Sequence, residues 1–116
     1  MSGHREERIN EEIKRELTAV IRELKDPRIS AGMVSVLKAA VTKDLKFCKV
    51  YISVLGNEAV KIGVRKGLDS AKGYIKKEIS DRMSLRITPE LIFTIDNSIE
   101  EGDKILKIME RINNEK

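Results

Sequence analysis

Aromatic side chains are almost missing from this sequence: no tryptophan, two tyrosines and two phenylalanines in 116 residues. Any hydrophobic core must therefore be built from Ile, Leu and Val. Cysteine occurs once, as Cys48, which excludes an internal disulfide and fits a reducing compartment. Histidine also occurs once, as His4 near the terminus, with no Cys or His companion to complete a metal site. No apolar run approaches the ~20 residues of a membrane span. The opening "MSGHREER" has no signal-peptide character. The glycine-containing "GVRKG" at 63–67 lacks the spacing of a phosphate-binding Walker loop. Asp96 and Glu100 are the nearest approach to a carboxylate pair, and capping of a helix accounts for them better. The expectation is a soluble cytoplasmic protein that is not an enzyme, with no cofactor, no metal, no small-molecule substrate and no membrane partner.

Charge is plentiful, and its distribution is uneven. Lysine and arginine number 23 against 19 acidic residues, a net of +4. Residues 61–86 hold eight cations (Lys61, Arg65, Lys66, Lys72, Lys76, Lys77, Arg82 and Arg86) against Asp69, Glu78 and Asp81. Residues 87–116 reverse the sign, with four cations against seven carboxylates. A localised basic surface is what phosphate binding needs, since each neutralised phosphate releases condensed counterions. The alternative is a solvated helix face, or a basic face that docks an acidic protein rather than RNA.

Periodicity divides the chain into elements. Ile9, Ile13, Leu17, Val20 and Leu24 fall within about 80° of arc at 100° per residue, an amphipathic helix. Lys14, Arg15, Arg22 and Lys25 lie on one flank of that stripe, and Glu12, Glu16 and Glu23 on the other. Asp26-Pro27 ends the helix, because proline disfavours helical geometry in the residue before it. Two β-branched runs, 33–42 and 46–54, flank "KDL" and predict a hairpin. In the second, Cys48, Val50, Ile52 and Val54 alternate with Phe47, Lys49, Tyr51 and Ser53, so one face is buried and Cys48 is inert packing. Helical spacing returns with Val60, Val64, Leu68 and Ala71, and Gly63 and Gly67 are expected to allow close packing on the sheet. Ile75 and Ile79 begin a new face beyond Gly73, up to about Arg82. Residues 86–96 predict a strand with Leu91, Phe93 and Ile95 on one side and Pro89 marking a sheet edge or bulge. "SIEE" at 98–101 is a capping box opening a last helix over 98–113, with Ile105, Ile108, Met109 and Ile112 as its stripe. Residues 1–4 are expected to fray.

The order α-β-β-α-(break)-α-β-α gives a single α+β domain over 1–116, the topology of a type II KH-like fold with a three-stranded sheet packed by helices. A KH domain joins two of its helices through a GXXG loop that clamps nucleic-acid backbone. Here the corresponding stretch is Ser70-Ala71-Lys72-Gly73, and the first glycine is missing. The loop is therefore expected to collapse to an interhelical kink at Ala71 and Gly73. Candidate RNA contacts are Lys66, Lys72, Lys76, Lys77, Arg82 and Arg86 around and after the kink, with Arg15, Arg22, Lys25 and Arg28 from the first helix and its end. Tyr51, Tyr74 and Phe47 could stack on bases, although partly buried packing is the commoner role for isolated aromatics.

The segments "LKDPRI" (24–29), "VTKDLKFCKVYISVLG" (41–56), "SAKGYIKKEI" (70–79) and "LRITPELIFTIDNSIEEGDKI" (85–105) together resemble the ribosome-binding factor A family, in that family's order and from about residue 4 to 112. The Ala-x-Gly that replaces GXXG in the family is matched by Ala71-Lys72-Gly73. The resemblance implies a KH-like monomer that binds free or immature small ribosomal subunits through 16S rRNA during late assembly. It further implies a role in maturing the 5′ end of that rRNA, notably in the cold, and release by a GTPase partner.

Overall fold

The structure is a computed structural model that describes residues 2–96, with side chains from residue 6. The expected helix over 98–113 lies outside the described residues. The element order is α1 (Ser2–Glu23), α2 (Pro27–Ser30), β1 (Ser35–Val41), β2 (Phe47–Ser53), α3 (Glu58–Met83) and β3 (Glu90–Ile95).

The sheet has the order β1-β2-β3. β1 and β2 form the antiparallel hairpin that alternation predicted, from Ser35↔Ser53 to Val41↔Cys48, with an irregularity between Val36 and Lys38. β3 returns parallel to β2, from Phe47↔Glu90 to Ile52↔Ile95. Parallel neighbours require a long crossover, and α3 supplies it. Pro89 falls just before the edge strand β3, where its missing N–H interrupts no ladder. At the opposite edge, the Asn10 side-chain oxygen accepts the Val41 N–H at 2.9 Å, satisfying a strand-edge donor from α1.

α1 packs over β1, α3 packs over β3, and the two helices touch each other. The buried core between them and the sheet is aliphatic but for one thiol: Ile13, Leu17, Val20 and Ile21 of α1, Cys48, Val50 and Ile52 of β2, and Val64, Leu68, Ile75 and Ile79 of α3. Cys48 is fully enclosed, and burial pushes its thiol up to about 11, so it remains an unreactive thiol at neutral pH.

Two expectations are corrected. No break divides α3: one helix of 26 residues runs through Ala71, Lys72 and Gly73. Gly73 is not in the left-handed region, where Gly56 is the one glycine among the described residues. A lone glycine lowers helix propensity by about 1 kcal/mol, which does not outweigh the burial of Leu68, Ile75 and Ile79 on either side of it. The helix ends instead at Ser84 (φ 50°), a left-handed cap whose N–H reaches the Ser80 carbonyl.

The second correction concerns the region after α1. Asp26 does more than stop a helix, because its carboxylate caps α2 by accepting the Arg28 N–H at 2.9 Å, with Pro27 at the first helical position. α2 docks Ile29 into the core against Gly67. A β-carbon at Gly67 would sit 2.8 Å from Ile29 Cγ1 and 3.2 Å from Asp26 Oδ2. Gly67 therefore serves the helix–helix contact and not the sheet, while at Gly63 the nearest atom would be 3.8 Å away.

Candidate nucleic-acid interface

The ten predicted contact residues do not form one surface. The acidic flank of α1 faces α3, because Arg82 of α3 reaches Glu23 at 2.8 Å, Glu16 at 3.6 Å and its own-helix Glu78 at 3.4 Å. The basic flank of α1 consequently faces the β1 side, where Arg22 lines a depression with Met33, Val34 and Ser35. Arg15, Arg22 and Lys25 are exposed there. Apart from Arg82, the predicted contact residues of α3 lie across this acidic seam, Lys66 and Lys77 on the outer face of the helix and Lys72 and Lys76 toward Glu90 of β3.

Three of the ten are already bound to carboxylates. Arg82 is held by the three glutamates just described, which makes it a clamp between α1 and α3. Arg28 forks onto Asp26, with Nη2 at 2.8 Å from Oδ2 and Nε at 3.1 Å from Oδ1. Those hydrogen bonds hold the Asp26 carboxyl below its ordinary range. Lys76 pairs with Glu90 of β3, and that contact lowers the Glu90 carboxyl in the same way. Each of these three would have to give up a charge-assisted partner before it could take a phosphate.

The others on α3 are better placed. At 100° per residue, Lys66, Ser70, Gly73 and Lys77 (spacing i, i+4, i+7, i+11) share one outward stripe about 180° from the buried Leu68. All four are exposed. Apart from its chain neighbours and the adjoining backbone of α3, no atom of the described residues lies within 4 Å of where a β-carbon on Gly73 would be. Two lysines thus bracket a stretch of helix carrying only a hydroxymethyl group and a hydrogen, where a bulky anion can approach the backbone itself. Lys72 stands on the flank toward β3, near enough to Glu90 to help lower that carboxyl. Arg86 is exposed in the segment leading to β3. Lys66, Lys72, Lys77 and Arg86 have no ion pair among the described residues. The place of Ser70 on this stripe was missed in the sequence, although the i, i+4, i+7, i+11 spacing was there to find. Among the described residues, no group of three or more His, Cys, Asp or Glu gathers as a metal site, and no helix is long and apolar enough to cross a membrane.

The family model for ribosome-binding factor A matches residues 5–109. The chain belongs to the ribosome-binding factor A family. Ribosome-binding factor A of Acetivibrio thermocellus is 52% identical over 104 residues, covering 89% of this chain and 84% of its own. The Clostridium botulinum (strain Loch Maree) member is 49% identical over 117 residues, covering 100% and 97%. The fold agrees with the crystal structure of ribosome-binding factor A from Thermus thermophilus, with a TM-score of 0.69 at 24% identity over 78% of this chain and 94% of that one. A homology model of the Thermus thermophilus factor, fitted into a cryo-EM map of a 30S–ribosome-binding factor A complex, matches with a TM-score of 0.62 at 26% identity over 74% and 89%. The resemblance read from the sequence motifs therefore holds, and the family is named for ribosome binding rather than for a reaction.

Proposed function

We propose that this protein is a small-subunit assembly factor, which binds free or immature small ribosomal subunits by laying the outer face of α3 against 16S rRNA. The observation that carries the reading is the exposed stripe of Lys66, Ser70, Gly73 and Lys77, with Lys72 beside it, on a member of the ribosome-binding factor A family. The 30S complex of the Thermus thermophilus relative supports the choice of partner. Point charges on a bare helical surface neutralise phosphates without reading bases, so folded rRNA is recognised by its backbone shape. The proposal extends to late maturation of the 5′ end of 16S rRNA, to a growth role in the cold, to action as a cytoplasmic monomer and to release by a GTPase.

Sedimentation of tagged protein through a gradient of separated ribosomal particles tests it. The protein should travel with free small subunits, most of all with immature ones, and leave assembled ribosomes unoccupied. Equal occupancy of small subunits and translating ribosomes would overturn the reading.

A further inference from the structure

The buried core holds no aromatic residue: Phe47 is 45% exposed, Tyr74 is 51% exposed, and Tyr51 and Phe93 are half-buried. Two of these stand on one face. β2 is the central strand, and its Cys48, Val50 and Ile52 point into the core under the helices. Phe47, Lys49, Tyr51 and Ser53 must then project from the opposite face of the sheet. The register adds Lys38 beside Tyr51, Ala40 and Ile92 on either side of Lys49, and Glu90 beside Phe47. Lys38 and Lys49 are exposed and without an ion pair among the described residues. Glu90, the carboxylate at these strand positions, is neutralised by Lys76.

The geometry points to this open sheet face as a second nucleic-acid surface, a stacking platform for unpaired nucleotides. Phe47 and Tyr51 lie about 13 Å apart at ~3.3 Å per residue. Lys49 stands between them, placed for the phosphates that link two stacked nucleotides, and Lys38 stands on the far side of Tyr51. An aromatic surface accepts any base because every base has a π-face, while lysines at this spacing hold the backbone. The charge at the centre of the platform favours a polyanion: Lys49 is open to solvent and Glu90, the carboxylate beside Phe47, already pairs with Lys76, while Lys38 at the rim shares a depression with Glu7 and Glu11 of α1. The platform goes beyond the α3 reading, since it lies on the other side of the molecule and takes single strands rather than folded backbone.

Fluorescence anisotropy with an end-labelled, unstructured 12-nucleotide RNA tests this on the full chain. Phe47→Ala and Tyr51→Ala should each weaken binding about tenfold. Phe47→Tyr should bind as wild type, Phe47→Leu should bind like Phe47→Ala, and Lys49→Glu should weaken binding further. Tyr51 is half-buried, so Tyr51→Phe, which keeps the ring, serves as its folded control and should bind as wild type. A hairpin RNA of the same length should bind less tightly. Wild-type affinity in Phe47→Leu overturns the platform, because greasy contact would then suffice. Binding of polyglutamate that depends on Phe47, without oligonucleotide binding, overturns it in favour of an acidic protein partner. The two readings fail separately. Loss of Phe47 dependence sinks the platform alone, whereas failure to sediment with small subunits sinks the α3 reading alone.

Discussion

Replacing Gly73 by alanine distinguishes a continuous α3 from a broken one. In a broken helix, with glycine needed for a conformation alanine resists, the substitution would destabilise the protein. In the structure Gly73 has no positive φ and lies ten residues before the helix end at Met83, and beyond its own stretch of helix no atom of the described residues is within 4 Å of its missing β-carbon. The helix-propensity gain of about 1 kcal/mol is then unopposed. For a domain of this size, that shifts the thermal midpoint upward by about 4 °C. Circular dichroism melts of the wild type and Gly73→Ala at one protein concentration measure it. A midpoint lowered by several degrees would refute the continuous-helix account and restore the break. The same variant should bind small subunits less tightly despite its added stability, because the new methyl stands on the bare surface between Lys66 and Lys77.

The remaining predictions concern other parts of the fold. Gly67→Ala should have the opposite sign from Gly73→Ala: the 2.8 Å approach to Ile29 forces a core side chain to move, for a net loss of about 1 kcal/mol in a chemical denaturation curve. Ser84→Gly should raise stability by about 0.5–1 kcal/mol, since the left-handed cap at φ 50° is easier for glycine, and a denaturation midpoint that falls would contradict that. Acid should destabilise through Asp26, Asp44 and Glu90, whose carboxyls are all lowered in the folded protein by hydrogen bonds: from Arg28 to Asp26, from Thr42 and Lys46 to Asp44, and from Lys76 to Glu90. A depressed folded pKa gives stability that is present above the unfolded carboxylate range and is lost as pH falls through the folded values. The melting temperature should therefore hold from pH 7 to about 5 and drop below about 4. Cys48 should resist alkylation at neutral pH in the native state and react at once after unfolding, because burial holds the thiol at about 11.

Much of this was legible in the sequence because one physical signal dominated. The stripe of Ile13, Leu17 and Val20 and the alternation of Cys48, Val50 and Ile52 record which side of each element leaves water, and all six are buried. α2 was not legible. Four residues are too few for a periodic pattern, and Asp26-Pro27 reads equally as the end of one helix or the cap of the next. The break at Gly73 was misread because local propensity was set against a burial pattern that continues across it, and packing decides such conflicts. The candidate site divided for a similar reason. Sequence counts cations but not partners, so Arg82, Arg28 and Lys76 counted as open charges until their carboxylates, up to 66 residues away in the case of Arg82 and Glu16, were brought beside them. For Lys66 and Lys77 helix geometry alone fixes the direction, and both are exposed.

The central claim is that the outer face of α3 binds phosphate. Its most direct test is the affinity of the charge-reversed Lys66→Glu/Lys72→Glu/Lys77→Glu protein for purified small subunits, measured across a salt series. Lys66 and Lys77 are exposed and half-buried Lys72 has no ion pair among the described residues, so its melting temperature should stay close to wild type, within about 0.5 kcal/mol per site. The wild type should lose affinity steeply with salt, and the variant should bind far more weakly even in low salt. The corresponding single Lys→Ala changes should each flatten the log–log slope by about one counterion. Binding by the triple variant as tight as wild type at low salt, with the same slope, would contradict the account and move the rRNA contact to the basic flank of α1 around Arg15, Arg22 and Lys25.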